Sequence, residues 1–339
     1  MYKVSATQLT DVLNTLAGTM DVFLPIRKDG QTNFGLYAEG VQADFDTLKT
    51  VKPPKEFFLP QSESLYKGVV DGKDIHIEPA AFADRPFVVF GMRGCDVLGM
   101  EILDKVYLGE PVDRFYEARR GHGCVVALAC GRPASTCFCK PFGVDASDPQ
   151  ADVTAWLCGQ YLYLEPVTER GRQLTHKLEP FLQDADAEDV AEYRQEIRER
   201  LEALPYNNLS LDALKDADML EVFNSPVWDS VCDACIACGT CSYVCPTCQC
   251  YDIKDYNTGD GAIRYRTWDS CMYSDFTLMA HGNPRKTQKE RFRQRFMHKL
   301  VYHPSTAGGQ LSCVGCGRCV NKCPSSLNIV KIMKSLGVS

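Results

Sequence analysis

The sequence lacks any apolar segment that would carry the chain into or across a membrane. Its apolar runs stop well short of the roughly 20 residues that a membrane-spanning helix needs. Its first residues also lack the apolar core of a signal peptide. A net charge of −7 gives no general attraction to nucleic acid or to anionic lipid. We therefore expect a cytoplasmic protein that has neither a membrane nor a nucleic acid as its partner.

The usual motifs of nucleotide and substrate chemistry are absent as well. Gly91, Gly94 and Gly99 do not have the G-x-G-x-x-G spacing of a dinucleotide site, and the chain has no Walker loop. No Ser–His–Asp arrangement is evident, and no two of the six histidines have metal-ligand spacing. The sequence therefore shows no nicotinamide, flavin or substrate site of its own.

Cysteine is the residue that the sequence has in excess, with 18 among 339 residues. Most of these cysteines lie between Cys232 and Cys323. A disulfide framework is typical of small secreted proteins, whereas this chain is long and has no evident export signal. Clustered cysteines in such a chain favour metal ligation in a reducing compartment.

Two cysteine groups have the same spacing and define a repeat with a pitch of 78 residues. The copies are Cys235-x-x-Cys238-x-x-Cys241-x-x-x-Cys245-Pro246 and Cys313-x-x-Cys316-x-x-Cys319-x-x-x-Cys323-Pro324. In ferredoxin runs of this kind the cysteine before proline ligates the other of two 4Fe–4S clusters. We therefore assign one cluster to Cys235, Cys238, Cys241 and Cys323, and a second to Cys313, Cys316, Cys319 and Cys245. Zinc is the alternative, but zinc ribbons separate two cysteine pairs.

The chain is predicted to form an α/β N-terminal domain over 1–220 and an α-helical ferredoxin-like domain over 225–339. Short apolar runs at 87–90, 124–129 and 161–164 predict buried strands, and helical periodicity is found at 97–107 and 189–204. Alternating strands and helices favour a partly parallel sheet. The interval between the two cysteine runs resembles helix-forming sequence, and further helices are predicted at 211–223 and 328–336.

Four further cysteines suggest a third cluster in the N-terminal domain. Cys95 and Cys130 follow predicted strands, and Cys137 and Cys139 lie in the loop after Cys130. If the two strands are neighbours, all four thiols meet at one edge of the sheet. Buried structural cysteines are the alternative.

Another group, formed by Cys248, Cys250 and Cys271, follows the first cysteine run. Three thiols need a fourth ligand to complete a cluster site, and His298 or Cys232 is a candidate. Packing beside the other clusters is the alternative role. Cys124 and Cys158 are expected to be core residues.

Residues 285–299 form a basic segment with seven lysines and arginines and one glutamate. A solvated helical face is the ordinary interpretation of such a segment, and nucleic-acid binding is a further one. A third interpretation is that these charges lie near anionic clusters, or that they bind an acidic partner surface.

Several motifs together resemble one iron–sulfur family. It contains the beta subunit of cytoplasmic nickel–iron sulfhydrogenases and the iron–sulfur subunit of anaerobic sulfite reductase. The resemblance extends over most of the chain and is closer to the sulfhydrogenase subunit in the N-terminal part. The motifs that carry it are Pro53-Pro54-Lys55-Glu56-Phe57-Phe58, Gly91-Met92-Arg93-Gly94-Cys95-Asp96, Ile102-Leu103-Asp104-Lys105-Val106-Tyr107, Thr136-Cys137-Phe138-Cys139, Cys245-Pro246-Thr247-Cys248-Gln249-Cys250, Trp268-Asp269-Ser270-Cys271, Arg291-Phe292-Arg293-Gln294-Arg295 and Cys313-Val314-Gly315-Cys316-Gly317-Arg318-Cys319.

The resemblance implies an electron-transfer subunit of a soluble complex. One partner would bind flavin and NAD(P)H, and another would hold a nickel–iron or siroheme centre. Cys232 departs from the family pattern, which leaves a shifted ligand set open. Two other functions also stay open, namely a self-contained enzyme that uses a cluster as its catalyst, and a structural or nucleic-acid-binding metalloprotein.

Overall fold

A computed structural model describes residues 1–47, 49–82, 84–215 and 217–338. Within these ranges the strands are β1 Tyr2–Ser5, β2 Asp21–Lys28, β3 Gln31–Leu36, β4 Ser62–Asp71, β5 Asp74–Pro79, β6 Phe87–Met92, β7 Gly123–Leu128, β8 Val153–Cys158, β9 Tyr161–Pro166, β10 Gln183–Asp184, β11 Tyr251–Asn257 and β12 Gly261–Trp268. The helices are α1 Leu9–Ala17, α2 Gly94–Tyr107, α3 Arg114–His122, α4 Glu169–His176, α5 Ala191–Glu202, α6 Asp212–Lys215, α7 Met219–Asn224, α8 Val227–Val231, α9 Thr240–Tyr243, α10 Gln288–Met297, α11 His303–Thr306, α12 Arg318–Lys322 and α13 Ile329–Ser335. No helix in the described residues is both long and apolar enough to span a membrane.

The larger sheet has the strand order β10–β1–β9–β8–β7–β6–β2–β3. Its centre is parallel, because β2 pairs with β6, β6 with β7 and β7 with β8 in the same direction. Every residue of β6 and β7 is buried, which explains their continuous apolar sequences. The partly parallel α/β sheet is therefore present.

Helices cover both faces of this sheet. Alternate residues of the central strands, such as Val88 and Phe90, pack in a core with residues of α1. Their neighbours Phe87 and Val89 pack with residues of α2 and α3 on the opposite face. This arrangement places the start of α2 and the end of β7 at the same edge of the sheet.

The smaller sheet has the order β11–β12–β4–β5 and is antiparallel. Strands β4 and β5 come from the region predicted as the N-terminal domain, whereas β11 and β12 lie between the two cysteine runs. The sequence suggested a helical interval between the two cysteine runs. The structure shows that this interval also contains two strands, β11 and β12. The alternation in Tyr251–Asn257 and the Asn/Gly-rich turn at 257–261 are the hairpin signal that this interpretation overlooked.

The C-terminal region adds a core of short helices around the cysteine runs. Side chains of α8, α10 and α13 meet there, among them Trp228, Phe296 and Ile332. Helix α10 continues into one π-helical turn, His298–Tyr302. The structure thus combines mixed sheets with a helical C-terminal core, and the ferredoxin-like classification of that core stays a prediction.

One local expectation needs correction. The helix expected over 211–223 is divided into α6 and α7, and Asp218 caps the second of them. At the N-terminus of α2 the cap position is Arg93. Asp96 lies in the first turn of α2 and pairs with Arg318 of the second cysteine run.

Candidate functional site

The structure places the thiols of Cys235, Cys238, Cys241 and Cys323 around one cavity. Cys235 and Cys238 lie in the loop between α8 and α9, Cys241 lies in α9, and Cys323 directly follows α12. Gln288 donates a hydrogen bond of 3.3 Å from Nε2 to the Cys235 sulfur. A side-chain amide donor of this kind suits a sulfur that carries negative charge.

Each cysteine run turns through two residues with left-handed backbone conformation. Ala237 and Gly239 have φ values of 58° and 71°, and the equivalent Gly315 and Gly317 have φ values of 60° and 71°. These turns bend the chain between successive cysteines. The sequence repeat is therefore also a repeat of backbone conformation.

The second group consists of Cys245, Cys313, Cys316 and Cys319, whose charges act on one another. Burial raises the pKa of Cys313 to about 12, and nearby Cys319 and Cys245 add to that rise. Burial likewise raises the pKa of Cys316, with contributions from Cys245 and Cys319. Deprotonated ligands at such a buried place need compensating positive charge.

The third group, Cys95, Cys130, Cys137 and Cys139, lines another cavity. Cys95 is in the first turn of α2, and Cys130 follows β7, which is the parallel neighbour of β6. The Cys137 thiol lies 3.8 Å from the carbonyl oxygen of Cys316. Burial raises the pKa of Cys130 to about 11, an effect that the neighbouring Arg93 opposes.

The Cys248 thiol lies beside that of Cys245, and Cys250 and Cys271 form a second pair, on which Cys248 acts. Hydrogen bonds join the side chains of Cys245 and Cys248, and those of Cys250 and Cys271. The bond from Cys271 lowers the pKa of Cys250 to about 7, although burial opposes this change. Among the groups that act most on the pKa values of these three thiols, neither His298 nor Cys232, the two expected fourth ligands, is found.

Cys232 and His298, the two expected fourth ligands, lie in environments different from that of the three thiols. Cys232 is buried in the helical core, and its thiol points to the carbonyl oxygen of Asp229. Burial lowers the pKa of His298 to about 4, helped by the positive charges of Lys299 and Arg285. Cys124 is buried within β7, whereas Cys158 at the end of β8 is only partly buried.

Buried cations surround the thiols. Arg295 is 2% exposed, and within the described residues its Nε and Nη1 atoms have no hydrogen-bond partner. The groups that act most on its charge are Cys241, Cys319, Cys248 and Cys245. Unsatisfied donors at this position match anionic clusters bound by the two cysteine runs, so the residues present fit the group that these runs imply.

Lys299 adds a second buried cation at the same place. Its ammonium group donates to Thr247 Oγ1 at 2.7 Å and to the carbonyl oxygen of Ser312 at 3.1 Å. Burial alone would lower the pKa of Lys299, but the Cys245 and Cys248 thiolates raise it overall. The basic segment therefore directs Arg295 and Lys299 inward, toward the cysteines.

Direct coordination of a single metal ion is a separate possibility. Within the ranges that the structure describes, no group of three or more His, Cys, Asp or Glu side chains could hold one. All eighteen cysteines are free thiols.

Comparison with known proteins first defines the class. A family profile for a 4Fe-4S dicluster domain matches residues 234–327, a range that includes both cysteine runs. The protein is thus a 4Fe–4S iron–sulfur protein of the electron-transferring kind.

A longer match then defines the family. The chain is 30% identical over 334 residues to the sulfhydrogenase 2 subunit beta of Pyrococcus furiosus. The alignment covers 98% of this chain and 96% of that protein. The chain belongs to the sulfhydrogenase beta subunit family, and this confirms the resemblance carried by the motifs. No solved structure matches the chain at a significant level.

Proposed function

We propose that the chain is the relay subunit of an oxidoreductase complex. It would pass electrons between a subunit that binds flavin and NAD(P)H and a subunit that holds the catalytic centre. The relative from Pyrococcus furiosus is a sulfhydrogenase subunit, which favours a nickel–iron centre over siroheme. The cytoplasmic location stays a prediction from the sequence.

The observation that carries this proposal is the continuity of the three cysteine groups. Arg295 connects the first two groups, because it donates to the carbonyl oxygen of Cys241 at 2.9 Å and lines the cavity of the first group together with Cys319 of the second. The second and third groups meet where the Cys137 thiol approaches the Cys316 carbonyl oxygen. Bound clusters supply single-electron transfer, and a continuous series of them is what a relay requires.

The same geometry supports a proposal for the ligands of each cluster. We propose that the first group, Cys235, Cys238, Cys241 and Cys323, and the second, Cys313, Cys316, Cys319 and Cys245, each hold one 4Fe–4S cluster. The third group, Cys95, Cys130, Cys137 and Cys139, is proposed to hold another, because all four thiols line one cavity with the buried Arg93. The remaining residues of each site exclude water and place positive charge beside the thiolates.

The first group offers a surface contact point for a redox partner. Cys238 is exposed, and the neighbouring Ile236 is 66% exposed although it is apolar. An apolar side chain beside an exposed ligand suits contact with another subunit. We propose that electrons enter or leave the chain here.

The relay can be tested with Cys238→Ala in the assembled complex. We expect a loss of about four irons per chain and of electron transfer linked to NAD(P)H. The catalytic partner should retain its activity with an artificial dye. Cys158→Ala, which changes a partly buried cysteine outside the three groups, is the control and should retain both. Unchanged NAD(P)H-linked activity in Cys238→Ala would refute the relay.

The same preparation tests the third group. Cys137→Ala should lower the iron and acid-labile sulfide content by about four atoms each per chain, while the signals of the first two clusters remain. An unchanged iron content would show that these four cysteines have only a structural role.

A further inference from the structure

We propose that Cys248, Cys250 and Cys271 hold an additional iron–sulfur cluster beside the second group. This site would add a branch to the series of clusters. It does not depend on which partner subunits the relay serves.

The β11–β12 hairpin builds this site from two distant stretches of chain. Cys248 and Cys250 precede β11, and Cys271 follows β12. Tyr251 pairs with Trp268, and the amide of Asp269 donates to the carbonyl oxygen of Cys250 at 2.9 Å. The hairpin therefore returns Cys271 to Cys250, and the two thiols are hydrogen-bonded.

A buried lysine from the N-terminal part of the chain completes the site. Lys55 is 3% exposed, donates to the carbonyl oxygen of Cys248 at 2.5 Å and lies 4.2 Å from the ring centre of Trp268. The groups that act most on its charge are Cys248, Cys245, Lys299 and Cys250. Among these leading influences in the described part of the chain there is no carboxylate.

The buried positive charges around this site need anionic partners, which neutral thiols do not provide. Lys55 and Lys299 are both buried, and Arg295 is a third buried cation, with two of its donor atoms unsatisfied and Cys248 among the groups that act on its charge. Several buried cations without carboxylate partners cost a large free energy unless an anionic group compensates them. Cys245 is assigned to the cluster of the second group. The thiolates available to compensate these cations are therefore those of Cys248, Cys250 and Cys271.

The donor set also indicates the class of ligand. Three soft thiolates favour iron–sulfur or zinc over hard cations, and no single-ion site is formed in the described residues. A cluster presents several irons, so it can be bound by thiols that do not all converge on one point. Three protein thiolates would leave one iron of a four-iron cluster without a cysteine ligand.

The experiment uses the full chain, purified without oxygen. Native mass spectrometry of the wild-type protein should show one cluster more than the three groups provide. Cys271→Ala should lose about three to four irons per chain with matching sulfide, and it should lose one component of the spectrum of the reduced protein. Cys124→Ala, which removes a similarly buried thiol from β7, is the matched control and should lose no iron.

Two results would overturn the proposal. One is a wild-type mass that accounts for no more clusters than the three groups, which does not depend on how the variant folds. The other is Cys271→Ala with full iron content, or with a loss of zinc alone. A relay that fails in Cys238→Ala leaves this cluster count unaffected, so the two proposals can fail separately.

Discussion

At the scale of single residues, two glycines bring the second cysteine run against the loop of the third group. A methyl group added at Gly315 would lie 2.0 Å from the carbonyl oxygen of Phe138, and one at Gly317 would lie 2.1 Å from that of Thr136. The amide of Phe138 also donates to the carbonyl oxygen of Gly315 at 2.8 Å. Backbone packs directly on backbone here, which leaves no space for a side chain.

Gly317→Ala should therefore destabilise the protein and reduce the occupancy of the second and third clusters. Left-handed backbone alone costs an alanine about 1–2 kcal/mol, and the collision with Thr136 adds to that cost. Gly308→Ala is the control, because Gly308 has a φ of 64° but open space around it. We expect a larger fall in the anaerobic thermal midpoint, and a loss of iron, only for Gly317→Ala. Equal effects would show that the close packing contributes nothing.

At the scale of elements, buried charges fix the smaller sheet to the rest of the molecule. Glu63 on β4 is 6% exposed and pairs with Arg266 on β12, with 2.6 Å between Oε2 and Nε. The same carboxylate pairs with Arg119 of α3, and Arg266 also pairs with Asp113. This network fixes the hairpin that places Cys271.

Glu63→Ala should lower the free energy of unfolding by about 3–5 kcal/mol, because it leaves two largely buried arginines short of a partner. Asp255→Ala on the same hairpin removes an exposed partner of Arg264 and should leave the free energy of unfolding almost unchanged. Anaerobic denaturant titration of both variants measures the difference. Similar losses in the two variants would show that burial of the Glu63 network has no special effect.

The elements also show what the sequence allowed us to predict. Strands β6 and β7 were predictable because parallel strands covered on both faces have continuous apolar runs. The β11–β12 hairpin was missed because β11 is largely exposed and carries three charges, and because the pairing of β12 with β4 is a long-range contact. The position of Lys55 was hidden for the same reason, since its partner Cys248 is 193 residues away.

At the scale of the whole molecule, the two predicted domains are interlocked. Arg318 of the second cysteine run forms a two-pronged ion pair with Asp96 of α2, and both side chains are 2% exposed. Arg318 also donates to the carbonyl oxygen of Thr50 at 3.0 Å. The repeat of the cysteine runs was visible in the sequence, but this contact between distant segments was not.

Asp96→Asn should increase the mobility of both segments that Arg318 connects, namely the chain near Thr50 and helix α12. Removing one charge of a buried pair leaves the other uncompensated and costs about 3–5 kcal/mol. Hydrogen–deuterium exchange should therefore rise both near Thr50 and across α12. Glu196→Gln, which changes an exposed pair with Arg200, is the control and should alter neither region. Faster exchange in only one of these two segments would contradict the idea that the Asp96–Arg318 pair stabilises both.

The mixed origin of the smaller sheet has a consequence for biogenesis. When β4 and β5 leave the ribosome, the strand that covers the open edge of β4 has yet to be synthesised, and chains fold from the N-terminal side as they emerge. The first cysteine run likewise waits for Cys323, which is added 78 residues after Cys245. Under the proposed ligand set, the first cluster can be completed only after Cys323 has been synthesised. A nascent chain that stalls before Cys323 would therefore lack one ligand of that cluster.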